Sequence, residues 1–154
     1  MIEARLAEPK DAFLLGPRMR QEDVDEVKAC SGLFPAEALL LGVEKSVECY
    51  TLWAGDQPLA MYGIVEDQNP SIGCIWLLGS DLIYEHRVAF LRISRPWIER
   101  FQSQYPILYN YIDARNTVHI RWLQWLGFSF ISEHPEYGVE KRLFYQFIRI
   151  NTNV

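Results

Sequence analysis

The chain has no apolar run approaching the roughly 20 residues a bilayer-crossing helix needs, so no membrane span is expected. Its opening segment, MIEARLAEPKD, carries early carboxylates and no apolar stretch, so no signal peptide is expected either. Cysteine is scarce and odd in number. Cys30, Cys49 and Cys74 lie in or beside apolar segments, which predicts reduced, mostly buried thiols rather than a disulfide framework. No basic neighbour stands ready to lower their pKa, so none is taken as a nucleophile. The three histidines, His86, His119 and His134, lack metal-ligand spacing, and no metal site is expected. His-Glu-x-x-His, Walker and Gly-x-Ser-x-Gly runs are all missing. Basic charge is short as well: the net charge is −5 and the pI about 5.2. That argues against binding nucleic acid through its phosphates.

What remains is a chain of 154 residues, 49% hydrophobic and 14% aromatic. Such a chain can bury a full core as a single domain spanning residues 1–154. Charge divides unevenly: up to Pro70 there are 13 acidic and 6 basic residues, and from Ser71 onward 7 and 9. Arg87, Arg92, Arg95 and Arg100 fall in one segment, as the solvated face of a helix or as a site for an anionic ligand or acidic partner.

The pattern predicts a strand over Ile2 to Leu6, a helix starting at Pro9 and interrupted at Gly16-Pro17, and helices over Asp23 to Ala29 and Pro35 to Lys45. Cys49 to Ala54 and Pro58 to Val65 flank Gly55-Asp56-Gln57 and predict a hairpin. An apolar strand, Ile72 to Leu78, leads through Gly79-Ser80-Asp81 into a helical region reaching about Tyr105. Phe90, Ile93, Trp97 and Phe101 share one face of that region, and Pro96 predicts a kink or two abutting helices. Ile107 to Ile112 is the next strand, and Leu143 to Ile148 the last, after the turn-rich EHPEYG.

Between those two strands lies the most informative stretch, DARNTVHIRWLQWLGFSF, Asp113 to Phe130. Asn116 or Thr117 can cap a helix with its side-chain oxygen. Ile120, Leu123 and Leu126 form its buried stripe, and Gly127 suits the left-handed residue after its end. Phe128 and Phe130 then begin a strand. Val118, Trp122 and Trp125 make a second apolar face, which fits either a partner or packing on both sides within the domain. Asp113, Arg115 and His119 could converge at the helix mouth, as a site or as an ordinary ion pair and cap.

An asparagine followed eleven residues later by Gly-Phe, here Asn116 and Gly127-Phe128, resembles the last core motif of the GNAT N-acetyltransferases. The element order resembles that family too. The resemblance implies an α/β fold, a GNAT-like mixed central sheet of about seven strands with helices on both faces. Ile72 to Leu78 and Ile107 to Ile112 would be adjacent parallel strands that splay apart. It further implies that acetyl-CoA lies in the split, held by Trp76, Leu78, Gly79, Ser80 and Asn116, its pyrophosphate at a helix N-terminus. The loop departs from the family pattern. LLGSDLIYEHR has one glycine where the family has a glycine-rich turn, and adds Asp81 and Glu85. Leu123 stands where many members place a tyrosine general acid, leaving His119 as the candidate acid–base group.

From LLGSD through YPILYNYIDARNTVHIRWLQWLGFSF, roughly Trp76 to Phe130, the chain is also similar to the small internal virion proteins of short-tailed phages, typified by the gene-thirteen product of the T-seven group. Ser80-Asp81, Tyr109-Asn110-Tyr111 and Asn116-Thr117-x-His119-Ile120-Arg121 carry that similarity. It implies an accessory protein of virion morphogenesis, in the host cytoplasm during infection or packaged in the virion. Its partners would be other phage virion or host proteins, not specific nucleic acid. Two readings follow: a binding or morphogenesis protein with a degenerate acyl-CoA cleft and no cofactor, or an acetyl-CoA-dependent N-acetyltransferase with an unorthodox pyrophosphate loop.

Overall fold

A computed structural model describes residues 1–151. Seven strands form one mixed sheet in the order β1-β2-β3-β4-β5-β7-β6. They are β1 (Ile2–Leu6), β2 (Glu48–Ala54), β3 (Gln57–Glu66), β4 (Ile72–Gly79), β5 (Ile107–Asp113), β6 (Ser129–Tyr137) and β7 (Arg142–Ile150). The helices are α1 (Pro9–Leu15), α2 (Gln21–Ser31), α3 (Pro35–Lys45), α4 (Leu82–Glu85), α5 (Arg87–Gln104) and α6 (Thr117–Trp125), with a 3₁₀ turn over Gly16–Arg18. Among the described residues no helix is long and apolar enough to cross a membrane.

Alternation along the strands sorts two cores. Ile75 and Leu77 of β4, with Tyr62 and Ile64 of β3 and Leu108 and Ile112 of β5, face α5 and α6 and pack on Phe90, Trp97, Ile98, Phe101 and Leu123. Trp76 and Leu78 point the other way, toward Ala12, Leu15 and Leu39 of α1 and α3. Period-two alternation puts neighbours in a strand on opposite faces, so both faces of β4 are apolar because both are covered.

The sheet is split at its centre. β4 and β5 are parallel but pair only over Ile72–Ile107, Gly73–Leu108 and Cys74–Tyr109. Beyond Cys74, β4 continues against β3 alone, and beyond Tyr109 β5 continues against β7 alone. At the fork the Asn110 side-chain amide donates to the Ile75 carbonyl at 2.6 Å, satisfying an acceptor that the parting strands leave without a ladder partner.

Helix α6 ends as the sequence predicts. Gly127 has φ +89, and its N–H donates to the Gln124 carbonyl while that of Phe128 donates to Leu123, both at 3.0 Å. This is the paired bonding of a Schellman motif. Two prolines behave differently from expectation. Helix α5 runs unbroken across Pro96, and the interruption falls instead at His86, between α4 and α5. Pro135 stands inside β6, in the segment read as turn-rich. β6 is an edge strand with register shifts on either side of Ser132 to His134, where a missing N–H costs no ladder bond.

Candidate functional site: the mouth of the split sheet

The open ends of β4 and β5, the start of α6 and the first turns of α2 meet at one point. Helix α2 places Asp23, fully buried, and Glu26 against that mouth. One Asp23 oxygen accepts from the Gly79 backbone N–H at 2.9 Å, and the other from the Asn116 amide at 3.0 Å. The Arg20 guanidinium, itself buried, donates to Asp23 at 2.7 Å, to the Asn116 carbonyl oxygen at 3.2 Å and to the Tyr84 hydroxyl at 2.8 Å. Glu26 accepts from the Asp113 backbone N–H at 3.0 Å and from the Asn116 amide at 3.3 Å. Carboxylates of α2 thus grip the end of β4 and the end of β5, and Asn116 ties them together.

These contacts set the protonation of the site. Burial alone would lower the Arg20 pKa, but the adjoining Asp23 carboxylate more than offsets it and the pKa is raised. Burial, with Asp23 nearby, pushes Glu26 up to about 8. Burial brings His119 down to about 4, against the pull of Asp23. Near neutral pH the mouth therefore holds one buried ion pair, a mostly protonated Glu26 and a neutral imidazole.

The residues proposed from sequence for cofactor binding are brought close to this mouth, each with another task. Trp76 donates its indole N–H to the Ser46 hydroxyl at 2.8 Å and lies against Gly42, where a Cβ would meet the ring at 2.5 Å. Leu78 belongs to the core beneath α1 and α3. Both backbone groups of Gly79 are engaged, its N–H by Asp23 and its carbonyl by the Arg20 N–H at 2.8 Å. A Cβ at Gly79 would collide with the Ile83 side chain, so this glycine makes room for the chain's own isoleucine. The Ser80 N–H donates to the Leu59 carbonyl at 2.9 Å, and the Ser80 hydroxyl donates to the same oxygen at 3.0 Å while accepting from the Leu82 N–H at 3.3 Å. Asp81 is exposed and makes no capping bond.

Asn116 corrects the capping expectation. It stands at the N-cap position of α6, but its side chain makes no bond to the helix. Charged Arg20 and Asp23 outcompete a neutral helix N–H, because hydrogen bonds to ions are about twice as strong as neutral ones. Arg115 clamps Asp113 at 2.6 Å in an ordinary ion pair, apart from His119. His119 packs edge-on to Trp122 at 5.0 Å between ring centres.

Behind the mouth, inside the split, lies a cavity of about 310 Å³. Ile75, Asn110, Trp97, Trp122 and His119 contribute to its wall. The Trp97 indole nitrogen and His119 Nδ1 are enclosed without a hydrogen-bond partner. No group of three or more His, Cys, Asp or Glu among the described residues could hold a metal.

The sheet order, the split and the flanking helices define a GNAT-like fold, and solved acetyltransferases of that family match it over nearly the whole chain. An acetyltransferase of the GNAT family from Bacillus anthracis superposes with TM-score 0.73 at 12% identity, covering 97% of this chain and 94% of its own. A Bacillus subtilis acetyltransferase solved in complex with CoA gives 0.67 at 13% identity, with 97% of each chain covered. At such identities the likeness concerns the fold.

Sequence places the chain more closely. Residues 48–135 match the family described as "Bacteriophage T7, probable scaffold protein Gp13", and the protein belongs to that family. The "Probable scaffold protein gp13" of Escherichia phage T7 is 30% identical over 110 residues, covering 66% of this chain and 75% of that protein.

Proposed function

We propose that this protein serves phage assembly as a binding protein, on a GNAT-like scaffold whose acyl-coenzyme A cleft is closed by its own helix α2. The observation that carries the reading is the Asp23 carboxylate on the Gly79 N–H. A pyrophosphate at a strand end needs free backbone N–H groups and no fixed anion beside them. Here the N–H groups of Gly79, Ser80 and Leu82 are taken from within the chain, and the helix that follows β4 is only four residues long. Displacing Asp23 would strand a buried guanidinium, which costs about 3–5 kcal/mol. Helix-end attraction for an anion returns about 0.3–1 kcal/mol. The closed arrangement wins, and the phosphate end of coenzyme A does not fit.

The acid–base groups that the family resemblance points to are equally short. Leu123 has no proton to give, and His119, with its pKa near 4, is neutral at physiological pH and cannot act as a general acid there. The T7 relative is described as a scaffold protein. By that relationship the partners are phage structural proteins or host factors of assembly, and the place is the host cytoplasm, with packaging in the virion as a further step.

Calorimetric titration of the purified protein with acetyl-CoA tests the closed cleft, and no saturable heat is expected. A phage deleted for the gene should replicate its DNA normally while yielding fewer infectious particles. Micromolar binding of acetyl-CoA together with acetyl transfer to an amine would overturn the reading.

A further inference from the structure

Five of the eleven arginines are matched by acidic side chains. Arg5, Arg20, Arg100, Arg115 and Arg142 each pair with a carboxylate. On the paired helices α5 and α6, among the described residues, only Arg100 is matched in this way. Arg87, Arg92 and Arg121 are exposed and make no ion pair or hydrogen bond among the described residues, and Arg95 has no carboxylate partner.

Spacing sets these residues in two stripes. On α5, Val88, Arg92 and Arg95 fall at i, i+4 and i+7; on α6, Val118, Arg121 and Trp125 fall at i, i+3 and i+7. Each set shares one helix face. The helices lie side by side, because the Trp122 indole N–H donates to Ser94 at 3.3 Å and its ring sits 5.5 Å from Phe90. Trp122 is thereby committed inward. Trp125 points outward, 45% exposed, and the two stripes also expose Val118 at 40% and Val88 at 61%. The Arg95 guanidinium lies 4.3 Å from the Trp125 ring centre and donates to its carbonyl at 3.2 Å, so the indole is held in place before any partner arrives.

We propose that this α5–α6 face docks an acidic polypeptide segment carrying apolar side chains, supplied by another protein of the assembling particle. The partner's origin rests on the assembly reading above; the chemistry of the surface does not. Arginine and tryptophan are the side chains enriched at the energetic centres of protein interfaces. The unmatched guanidinium groups select carboxylates, bidentately where geometry allows. Interleaved valine and tryptophan select aliphatic or aromatic anchors, which a nucleic-acid backbone does not provide. An indole already fixed by Arg95 loses little freedom on binding, which leaves more of the contact energy for affinity.

The test follows the indole resonance of Trp125 in ¹H–¹⁵N spectra during titration with a synthetic amphipathic peptide of glutamate and leucine. A basic peptide of the same pattern, duplex DNA and anionic lipid vesicles serve as comparisons. A saturable shift confined to α5 and α6, weakened by salt, is expected with the acidic peptide alone. R92E/R121E and W125A should each weaken it about tenfold or more, whereas K28E/K45E on the opposite face should leave it unchanged. All these positions are exposed, and unchanged melting curves verify that the variants fold. No shift at millimolar peptide, equal weakening by the K28E/K45E control, or tighter binding of DNA or vesicles at this face would each overturn the proposal. None of these outcomes bears on the acetyl-CoA titration, so the two readings fail separately.

Discussion

The carboxylate of Asp23 accepts a hydrogen bond from the backbone N–H of Gly79 at 2.9 Å, joining residues 56 positions apart across the mouth of a split sheet. Asp23 also neutralises Arg20, which is only 4% exposed. Removing one partner of such a pair strands the other. Asp23→Ala should therefore lower the unfolding free energy by about 3–5 kcal/mol, read by urea denaturation. A loss below about 1 kcal/mol would mean that Asp23 does not anchor α2.

Asn116 separates capping from cross-linking. Its side chain bonds Arg20, Asp23 and Glu26 rather than its own helix. Asn116→Ala should cost about 1–3 kcal/mol by leaving buried polar groups unmatched. Asn116→Ser, a good N-cap residue, should be no better than alanine. Full recovery of the melting temperature in the serine variant would restore the capping role.

Two groups at the mouth make stability depend on pH with opposite signs. Glu26, raised from 4.5 to about 8, binds its proton more tightly folded than unfolded, so its contribution is complete below pH 4.5 and is lost as pH rises toward 8. His119, lowered from 6.5 to about 4, contributes above pH 6.5 and loses that contribution as pH falls toward 4. Between about pH 4.5 and 6.5 the two slopes offset one another; from 6.5 to 8 the Glu26 slope stands alone, at most about 1.4 kcal/mol per pH unit. Glu26→Gln should abolish the decline above pH 6.5 and expose the rise due to His119 below it. Denaturation midpoints across the range decide the matter, and a wild-type-like profile in the variant would clear Glu26 of responsibility.

Gly127 holds φ +89, where a Cβ is opposed by its own carbonyl. Gly127→Ala should cost about 1–2 kcal/mol and speed hydrogen exchange at the Gly127 and Phe128 amides first, since these close the end of α6.

Much of the frame was legible in the sequence because it rests on local rules. Gly127 and the Ile120–Leu123–Leu126 stripe specify α6, and the hairpin turn at Gly55-Asp56 joins β2 to β3. The parallel pairing of β4 and β5 follows from an intervening helix of suitable length. Pro96 misled because proline reports a local cost without the tertiary packing of Phe90, Trp97 and Phe101 that holds α5 together around it. The closure of the mouth was hidden for a different reason. QEDVDEVK shows no more than a short helix over Asp23 to Ala29, while Asp23 meets Asn116 across 93 positions. One signal was present: Asp23, Val27 and Cys30 fall at i, i+4 and i+7, which puts a carboxylate on the inward stripe of α2. An acid at an apolar position asks for a buried partner, and Arg20 is three residues away.

The two rims of the sheet bear on how copies of the molecule can crowd together without fusing. β6 is bulged twice and carries Pro135, so it offers no continuous row of N–H and C=O groups to an incoming strand. β1 is five residues long and carries the exposed Glu3–Arg5 ion pair. Short, charged or interrupted rims are how sheets avoid templating one another. A molecule with such rims resists zippering edge to edge into fibres, which leaves contacts between crowded copies to its helical faces and loops.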